Sequence, residues 1–439
     1  MESHKNNVLY IKPGHRLEGT IDLPGDKSIS HRALILSSLA RGNSLIEGIQ
    51  RGKDCLATLN CMKKLGVSVR EDDKRVIVQG VGLEGLREPD DILDCGNSGT
   101  TMRILSGVLA AQKFYTVLTG DSSLRKRPMD RIIKPLQEMG ATIWARKEIF
   151  PPLSIKGSSL RGISYTLPVA SAQVKSCILL AGLYAQGKTT VIEPSLSRDH
   201  TERMLDYMGA KIVKKGMRIE LRPGQELRAK KLLIPKDISA AAFFIGGACI
   251  LEGSDIFLPG VGINPTRTGF LQVLQQMGAQ IEVLNKRIMC NEEIADLRIK
   301  GENSLEGIKI SGDIIPCLID EIPILAVVAC FARGKTLIEG AGELRVKEAD
   351  RIRALSVELS KMGAKIEERK DGMVIRGTGI LKGAEVDSWE DHRIAMALAI
   401  AGICARGETK IRHADCINIS FPQFPDILQR ALAFGKKEL

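Results

Sequence analysis

The stretch GDKSISHR, residues 25–32, places a lysine, two serines, a histidine and an arginine directly before the apolar run ALILSSLA. Residues of these types at a helix start could bind a phosphate or a carboxylate, because the first turn presents unpaired N–H groups and the positive end of the helix dipole. One such start is weak evidence, since serine and aspartate are also ordinary N-cap residues. The functional interpretation therefore depends on whether other helices begin in the same way.

Further apolar runs do begin in this way. Their starts read GNSGTTMR, PVASAQVKS, PKDIS, LIDEIP and EDHR. If the helices of one domain run side by side, these starts converge on one face and collect lysine, arginine, glutamine and asparagine there. Two such faces would enclose a cleft suited to doubly anionic ligands.

An internal repeat explains why these helix starts recur. The phrase ARGNSLIEG, residues 40–48, returns as AQGKTTVIEP, ARGKTLIEG and ARGETKIRH, with looser copies elsewhere. A second phrase, such as LQEMGATI or LSKMGAKI, predicts a helix that ends at a left-handed glycine and leads into a strand. Six units of about 70 residues therefore fill the chain, three to a domain, and their apolar helices should be buried.

Composition narrows the class of partner. The 439 residues exceed one average domain, so two domains are expected. A net charge of +11 could indicate nucleic acid or an anionic small molecule. Acidic residues are interleaved with the basic ones and aromatic content is only 4%, which favours small anionic substrates.

The same composition bears on location and cofactors. No apolar run reaches the roughly 20 residues of a spanning helix, so no membrane partner is expected. Ten cysteines show no CxxC pair, which favours free thiols in a reducing cytoplasm. The sequence shows no metal-ligand spacing and no dinucleotide-binding loop, so we expect no cofactor and no metal.

The motifs together resemble the 5-enolpyruvylshikimate-3-phosphate (EPSP) synthase family, the 3-phosphoshikimate 1-carboxyvinyltransferases. In chain order they read DKSISHR, DCGNSGTTMR, LRKRPM, PVASAQVKS, LIDEIPILAVVA, LRVKEADRI, EDHRIAMA and SFPQFPDIL. The resemblance runs from about Pro24 to Pro425 and nearly fills the chain. The motifs SAQVKS and IDEIPILAV are similar to those of the family's second class, found in certain bacteria.

This resemblance implies an α/β fold of two domains, each built from three βαβαββ repeat units with buried parallel helices. It also implies a discontinuous order, which the repeats do not show. The upper domain would cover residues 25–236, and the lower domain 1–24 and 237–439. The chain would cross between domains near Pro24 and again near Pro235, and these crossings would be hinges.

The family transfers the enolpyruvyl group of phosphoenolpyruvate to the 5-hydroxyl of shikimate 3-phosphate and releases phosphate. The chemistry needs a base at the hydroxyl, an acid at the methylene carbon, and cations for two phosphates and two carboxylates. The resemblance implies Asp320 as the base, supported by Glu321, and Glu348 as the acid–base group at the methylene carbon. Lys27 would contact phosphoenolpyruvate and assist proton transfer at the hydroxyl.

The resemblance also implies two sets of substrate contacts. The phosphoenolpyruvate contacts are Lys27, Gly99, Arg127, Gln173, Arg351 and Arg393. The shikimate 3-phosphate contacts are Ser28, Arg32, Ser171, Ala172, Gln173, Ser197, Arg198, Asp320 and Lys347. The two substrates would be the only partners of a monomer, without nucleic acid.

Three positions carry more specific expectations. Gly99 has no side chain where one would interfere with the inhibitor glyphosate, so the resemblance implies a glyphosate-sensitive protein. Ala172 stands where many members have a second serine, which removes one hydroxyl contact. Near the C-terminus, Ile419 stands where many members have a lysine before the SFP or TFP motif.

Alternatives remain open for single residues and for the reaction. Ser28 could be a plain N-cap, and Asp320 and Glu321 helix-cap acids. Glu348 and Arg351, at i and i+3, could form an ordinary exposed ion pair. A sister enzyme that uses UDP-N-acetylglucosamine shares fold and donor, but the loop RKRPMD lacks the cysteine typical of that enzyme. A non-catalytic, nucleic-acid-binding protein on the same repeats is the other class.

Overall fold

A computed structural model of the protein describes residues 7–72, 75–301 and 305–433. It divides the chain into two compact units. Unit A comprises Gly25–Pro235, to which Ile288–Glu292 are added, and unit B comprises Met1–Pro24, Lys236–Arg287 and Glu293–Leu439. The ends of the predicted lower domain, 1–6 and 434–439, lie outside the described residues, as do 302–304 within it and 73–74 in the upper domain.

The helices and strands are numbered in chain order. The α-helices are α1 (Lys27–Leu39), α2 (Lys53–Lys64), α3 (Gly99–Leu109), α4 (Asp130–Glu138), α5 (Ala172–Gly182), α6 (His200–Tyr207), α7 (Ile238–Ile250), α8 (Gly269–Gln276), α9 (Ile315–Leu318), α10 (Ile322–Phe331), α11 (Arg351–Lys361), α12 (His392–Ile403) and α13 (Phe424–Ala431). Short 3-10 turns cover Leu124–Lys126, Gly312–Ile314, Gly342–Val346 and Ala414–Ile419.

The strands of the first half are β1 (Val8–Ile11), β2 (Arg16–Thr20), β3 (Arg41–Glu47), β4 (Ser68–Glu71), β5 (Arg75–Val81), β6 (Leu93–Asp94), β7 (Tyr115–Thr119), β8 (Thr142–Arg146), β9 (Phe150–Lys156), β10 (Ser164–Thr166), β11 (Thr189–Ile192), β12 (Ile212–Lys215) and β13 (Arg218–Leu221). Those of the second half are β14 (Lys231–Leu233), β15 (Asp255–Gly262), β16 (Gln280–Met289), β17 (Glu292–Lys300), β18 (Lys309–Ile310), β19 (Lys335–Ile338), β20 (Lys365–Arg369), β21 (Gly372–Arg376), β22 (Glu385–Asp387), β23 (Thr409–Arg412) and β24 (Leu432–Ala433).

Unit A contains three four-stranded mixed sheets of the same design. Their strand orders are β14-β3-β5-β4, β6-β7-β9-β8 and β10-β11-β13-β12. In each sheet the first pair is parallel and the other pairs are antiparallel. The second and third repeats read strand, helix, strand, helix and two strands without interruption. The first repeat takes its first strand, β14, from the far end of the unit.

Unit B repeats this design with strands from the start of the chain. Its sheets have the orders β16-β17-β15-β2-β24, β18-β19-β21-β20 and β1-β23-β22. Strand β2 pairs parallel with β15, and β1 pairs antiparallel with β23. The predicted α/β class built from βαβαββ repeats is therefore confirmed.

Each unit buries three apolar helices, α1, α3 and α5 in unit A and α7, α10 and α12 in unit B. Glycines allow these helices to approach closely. A Cβ on Gly107 of α3 would lie 2.1 Å from the carbonyl oxygen of Cys177 on α5, so only glycine fits there. In the described ranges no single helix is long and apolar enough to span a membrane. One pair of helical segments, Gly312–Leu318 and Ile322–Phe331, has that length and apolarity only when the two are taken together, and the pair is bent.

Candidate active site

The buried helices of unit A begin with N-caps that orient their polar residues. The Asp26 carboxylate accepts from the N–H of Ile29 at 2.8 Å, at the start of α1. Ser98 and Ser171 cap α3 and α5 in the same way. Asp26 is therefore the N-cap of α1, and Ser28 lies inside the first turn, which removes the plain N-cap interpretation of Ser28.

Arg32 is buried in α1 and binds three protein acceptors. Its Nε donates to Oγ1 of Thr201 at 2.7 Å, Nη1 to the carbonyl of Ser28 at 2.9 Å, and Nη2 to Oγ of Ser176 at 2.8 Å. Burial lowers the pKa of Arg32 to about 10, although the Glu202 carboxylate acts in the opposite direction. The guanidinium is held in one orientation, with one N–H on each terminal nitrogen beyond these three bonds.

Lys27 and Arg198 lie beside the same helix start. Nζ of Lys27 donates to Oδ2 of Asp54 at 2.9 Å, and the Lys27 side chain is 16% exposed. Nη1 of Arg198 donates to Oγ of Ser28 at 3.4 Å. Asp54, which the sequence reading did not single out, therefore orients the predicted catalytic lysine.

The loop before α3 holds a nearly buried arginine. Arg127 follows the 3-10 turn Leu124–Lys126, and its Nη2 donates to Oδ1 of Asn97 at 2.6 Å. Its Nη1 donates to the carbonyl of Asn97 at 3.2 Å, so one residue of the loop contacts both terminal nitrogens. These two hydrogen bonds hold the Arg127 guanidinium next to the GNSGT turn.

Gly99 is the first residue of α3 and lies against two guanidinium groups. A Cβ on Gly99 would lie 2.8 Å from Nη1 of Arg103 and 3.5 Å from Nη1 of Arg127. Arg103 donates to Oε1 of Gln173 at 2.7 Å, and Gln173 donates through Nε2 to Oγ1 of Thr100 at 2.9 Å. The structure therefore brings Gly99, Arg127 and Gln173 together and adds Arg103, for which the sequence reading gave no role.

Lys175 lies in a fully buried ion cluster. Its Nζ is 2.9 Å from Oε2 of Glu193 and 2.7 Å from Oε1 of Glu202. Burial acts to lower the pKa of Lys175, but the carboxylates of Glu202 and Glu193 outweigh it and raise the pKa above its ordinary value. Lys175 also donates to the carbonyl of Ser197, whose hydroxyl donates to Glu193. The cluster therefore fixes the loop that carries Ser197 and Arg198.

His31 belongs to a buried hydroxyl chain rather than to the ligand-facing groups. Its Nδ1 is 2.7 Å from Oγ1 of Thr58, which is 2.6 Å from Oγ1 of Thr101. Thr101 donates to Oγ of Ser98 at 2.7 Å. Burial, followed by the charges of Lys27 and Arg32, lowers the pKa of His31 well below 6.5, so the ring is neutral at pH 7. These hydrogen bonds link α1, α2 and the N-cap of α3.

In unit B, Arg351 is the first residue of α11 and contacts three carboxylates. Its Nε donates to Oδ2 of Asp391 at 2.7 Å and its Nη2 to Oε2 of Glu348 at 2.6 Å, while Nη1 is 3.4 Å from Oδ1 of Asp320. Burial acts to lower the pKa of Arg351, but Asp391, Glu348 and Asp320 outweigh it and raise it. Glu348 precedes α11, since Asp350 is the N-cap, so the pair forms across a helix start and not along a helix.

Asp320 lies in the turn between α9 and α10 and meets three cations. Besides the contact with Arg351, its Oδ1 is 3.5 Å from Nζ of Lys347. Arg393 donates through Nη1 to the Asp320 carbonyl at 2.9 Å, and its Nη2 is 3.7 Å from Oδ2. The structure therefore brings together the predicted residues Asp320, Lys347, Glu348, Arg351 and Arg393 of this unit.

Glu321 is buried behind Asp320 and shares Arg393 with it, since Nη1 of Arg393 is 3.8 Å from Oε1 of Glu321. Ser239 of α7 donates its hydroxyl to Oε1 of Glu321. Nη2 of Arg267 donates to Oγ of Ser239 at 2.6 Å and lies 3.6 Å from Oε1 of Glu321. Arg267 is also 3.8 Å from the N-cap of α7, Asp237. Glu321 is therefore part of a buried network that fixes the start of α10.

The main residue that the sequence reading missed in unit B is Asp391. It caps α12, is fully buried, and accepts from both Arg351 and the N–H of Arg393. The available signal was the acid in EDHR, two positions before the predicted Arg393. Among the described residues, no group of three or more histidine, cysteine, aspartate or glutamate side chains is arranged to hold a metal ion.

Both clusters suit anionic ligands, and both carry groups that can move protons. Unit A presents Lys27, Arg127 and Arg198 beside small polar residues of helix starts. Unit B presents Arg351 and Arg393 with carboxylates beside them. Such pairing of arginine with carboxylate orients the guanidinium for bidentate binding of phosphate or carboxylate.

Comparisons with known proteins agree on one family. Residues 11–428 match the family model described as EPSP synthase (3-phosphoshikimate 1-carboxyvinyltransferase). A 3-phosphoshikimate 1-carboxyvinyltransferase of Thermodesulfovibrio yellowstonii is 54% identical over 422 residues, which cover 95% of this chain and 98% of that protein. One from Thermoanaerobacter sp. strain X514 is 52% identical over 416 residues, covering 95% and 98%. A solved EPSP synthase structure from Acinetobacter baumannii has a TM-score of 0.87 at 46% identity, covering 97% of this chain and 98% of that one.

Proposed function

This chain belongs to the EPSP synthase (3-phosphoshikimate 1-carboxyvinyltransferase) family, and we propose roles for its two cationic clusters in that family's reaction. The activity is that of EC 2.5.1.19, a step of the shikimate pathway toward aromatic amino acids. The enolpyruvyl group of phosphoenolpyruvate passes to the 5-hydroxyl of shikimate 3-phosphate, and phosphate leaves. The substrates are phosphoenolpyruvate and shikimate 3-phosphate.

The balance of the reaction defines which groups are needed. The 5-hydroxyl loses its proton and its oxygen bonds to the carbon that carries the phosphate, while the methylene carbon gains a proton. Loss of phosphate and of one proton from the resulting methyl group then restores the double bond. One base and one reversible acid are therefore required, and we assign them to Asp320 and Glu348.

The contacts of Asp320 carry this assignment. Its carboxylate has cations of Lys347, Arg351 and Arg393 within 4 Å, so a substrate hydroxyl bound there would meet an oriented oxygen acceptor. Glu348 shares Arg351, which orients its carboxylate at the start of α11. In this proposal Arg351 and Arg393 bind phosphoenolpyruvate and Lys347 binds shikimate 3-phosphate.

The proposal for unit A assigns residues to both substrates. Lys27, Gly99, Arg127 and Gln173 would contact phosphoenolpyruvate, supported by the shared contacts around Gly99. The residues proposed to contact shikimate 3-phosphate are Ser28, Arg32, Ser171, Ala172, Gln173, Ser197 and Arg198. The bond from Arg198 to Ser28 and the buried cluster behind Ser197 support this second set.

Four finer points belong to the same proposal. We assign the chain to the family's second class, on the wording SAQVKS that contains Ala172 and Lys175. The domains would cover 25–236 and 1–24 with 237–439, and the bounds of the compact units at Pro24 and Pro235 support this. The protein would be a cytoplasmic monomer, which its ten free cysteines suit.

The test is phosphate release from phosphoenolpyruvate with shikimate 3-phosphate, and separately with UDP-N-acetylglucosamine as acceptor. We expect turnover only with shikimate 3-phosphate, and a fall in kcat of about 100-fold or more in Asp320→Asn and in Glu348→Gln. The exposed Asp313→Asn, seven residues before Asp320, is the matched control and should keep wild-type rates. Full activity of Asp320→Asn would contradict its assignment as the base.

A further inference from the structure

We propose that Trp389 and Glu358 are positioning residues for Arg351 and Arg393. In the described part of the chain, neither side chain donates to or accepts from Arg351 or Arg393. Both act through the turn that leads into α12. The inference rests on the proposed function, in which both arginines bind phosphoenolpyruvate.

The turn before α12 has an unfavourable backbone. Trp389 and Glu390 are consecutive non-glycine residues with φ of 55° and 57°. A residue with a Cβ rarely adopts this left-handed region, and two in succession persist only where surrounding contacts hold them. The side chains that hold this turn therefore determine where the next residue, Asp391, lies.

A buried carboxylate supplies part of those contacts, besides the bonds from the N–H of Trp389 to Oδ1 of Asp387 at 2.7 Å and from the N–H of Glu390 to Oγ of Ser388 at 3.1 Å. Glu358 is 1% exposed, and its Oε1 accepts from the indole Nε1 of Trp389 at 2.9 Å. Its Oε2 accepts from the N–H of Asp387 at 2.9 Å and from Nζ of Lys361 at 2.7 Å. Ser388 adds a bond from its hydroxyl to the carbonyl of His413 at 2.9 Å. Glu358 therefore binds the turn on both sides of Ser388.

One helix connects this carboxylate to the arginines. Glu358 lies seven residues after Arg351 on α11, so both side chains project from the same face of the helix, two turns apart. Arg351 binds Asp391 through Nε at 2.7 Å and Nη2 at 3.3 Å, and Asp391 caps the N–H of Arg393 at 2.8 Å. Helix α11 thus contacts the turn through Glu358. It contacts Asp391, at the end of the turn, through Arg351.

The orientation of both arginines therefore depends on the bond between Trp389 and Glu358. If the bond between Trp389 and Glu358 is lost, the strained turn can relax, and Asp391 no longer orients Arg351 and the start of α12 that carries Arg393. Phosphoenolpyruvate would then bind only to the fraction of molecules with the original turn. Its apparent dissociation constant rises by the inverse of that fraction.

The first test is Trp389→Phe, which keeps the ring and removes the indole N–H. We expect the KM for phosphoenolpyruvate to rise about tenfold, the effect of a turn populated in one molecule of ten. The KM for shikimate 3-phosphate should stay within about twofold of the wild-type value, because its proposed contacts are mostly in unit A. Trp144→Phe is the control, since Trp144 lies on β8 of unit A, is 56% exposed, and should leave both constants unchanged.

The second test measures the turn itself. The chain has two tryptophans, so Trp144→Phe leaves Trp389 as the only one. Adding Glu358→Ala to this variant should lower the fluorescence anisotropy of Trp389 and raise the KM for phosphoenolpyruvate, with the fold monitored by circular dichroism. This readout does not depend on activity, so a folded variant with lower affinity can be distinguished from a misfolded one.

The outcomes distinguish a failure of the positioning role from a failure of the proposed function. An unchanged KM for phosphoenolpyruvate in Trp389→Phe, with a lower melting temperature, would mean that the contact is only structural and would overturn the proposal. Unchanged anisotropy in the Glu358→Ala variant would also overturn it. An absence of phosphate release by the wild-type protein would overturn the proposed function, and the inference with it.

Discussion

Replacing Gly99 with alanine adds one methyl group at the start of α3, and its cost can be worked out from the structure. The new Cβ would lie 2.8 Å from Nη1 of Arg103, whereas ordinary contact begins near 3.4 Å, so the guanidinium must move by about 0.6 Å. The neighbouring nitrogen of Arg127, at 3.5 Å, need not move. The change is therefore transmitted mainly through Arg103.

Arg103 cannot move without affecting a residue proposed to bind substrate. The same Nη1 donates to Oε1 of Gln173 at 2.7 Å. Weakening this hydrogen bond costs about 1 kcal/mol, which corresponds to roughly a fivefold loss of affinity. We expect Gly99→Ala to raise the KM for phosphoenolpyruvate by roughly fivefold.

The assay is phosphate release with phosphoenolpyruvate varied and shikimate 3-phosphate saturating, followed by a glyphosate titration. The wild-type protein should be inhibited by glyphosate, and Gly99→Ala should require more inhibitor. A double-mutant cycle with Gln173→Ala tests the route, because effects that pass through one hydrogen bond are not additive. Full additivity, or an unchanged KM for phosphoenolpyruvate, would refute the reasoning from Arg103.

Three further predictions concern buried ionisable side chains. Lys175→Met leaves Glu193 and Glu202 buried without their cation, so the free energy of unfolding in urea should fall by about 3–5 kcal/mol. The lowered pKa of His31 means that the unfolded chain binds more protons than the folded one below pH 6.5. Stability should therefore fall as pH falls from 6.5, and His31→Gln should reduce the slope by up to about 1.4 kcal/mol per pH unit. Asp391→Asn should lower kcat/KM for phosphoenolpyruvate about tenfold, because a charge-assisted bond to a guanidinium is lost.

Each of these has a contrary outcome. Urea curves of Lys175→Met that overlay the wild type would mean that the cluster contributes nothing to stability. An unaltered pH slope in His31→Gln would assign the acid sensitivity to other groups. If Asp391→Asn changes only the KM for shikimate 3-phosphate, then Asp391 does not act through Arg351.

The helix starts and the repeat could be predicted from the sequence because they are encoded locally. A cap such as Asp26 acts on the N–H three residues ahead, and a left-handed glycine such as Gly66 or Gly140 ends a helix wherever it stands. Signals of this length are complete within one stretch of sequence. The six-unit α/β organisation and the polar ends of the buried helices follow from them.

The partners of the polar residues could not be predicted in this way. Arg103 meets Gln173 across 70 positions of sequence, and Arg351 meets Asp391 across 40. The first distance is about one repeat, yet the repeat alone does not tell which side chains of two neighbouring helix starts meet, and the second distance matches no period of the sequence. The motif SAQVKS gives Lys175 no role, and only the folded unit places Glu193 and Glu202 against it.

The chain thus determined by itself where its helices begin and which residue types lie there, since capping and glycine turns depend on near neighbours. Only the tertiary structure decided which carboxylate orients which cation, because each side chain is placed by a different repeat. The turn at Trp389 shows the difference most clearly. Its left-handed backbone contradicts local preference, and it is held by Glu358, which lies 31 residues earlier in the chain.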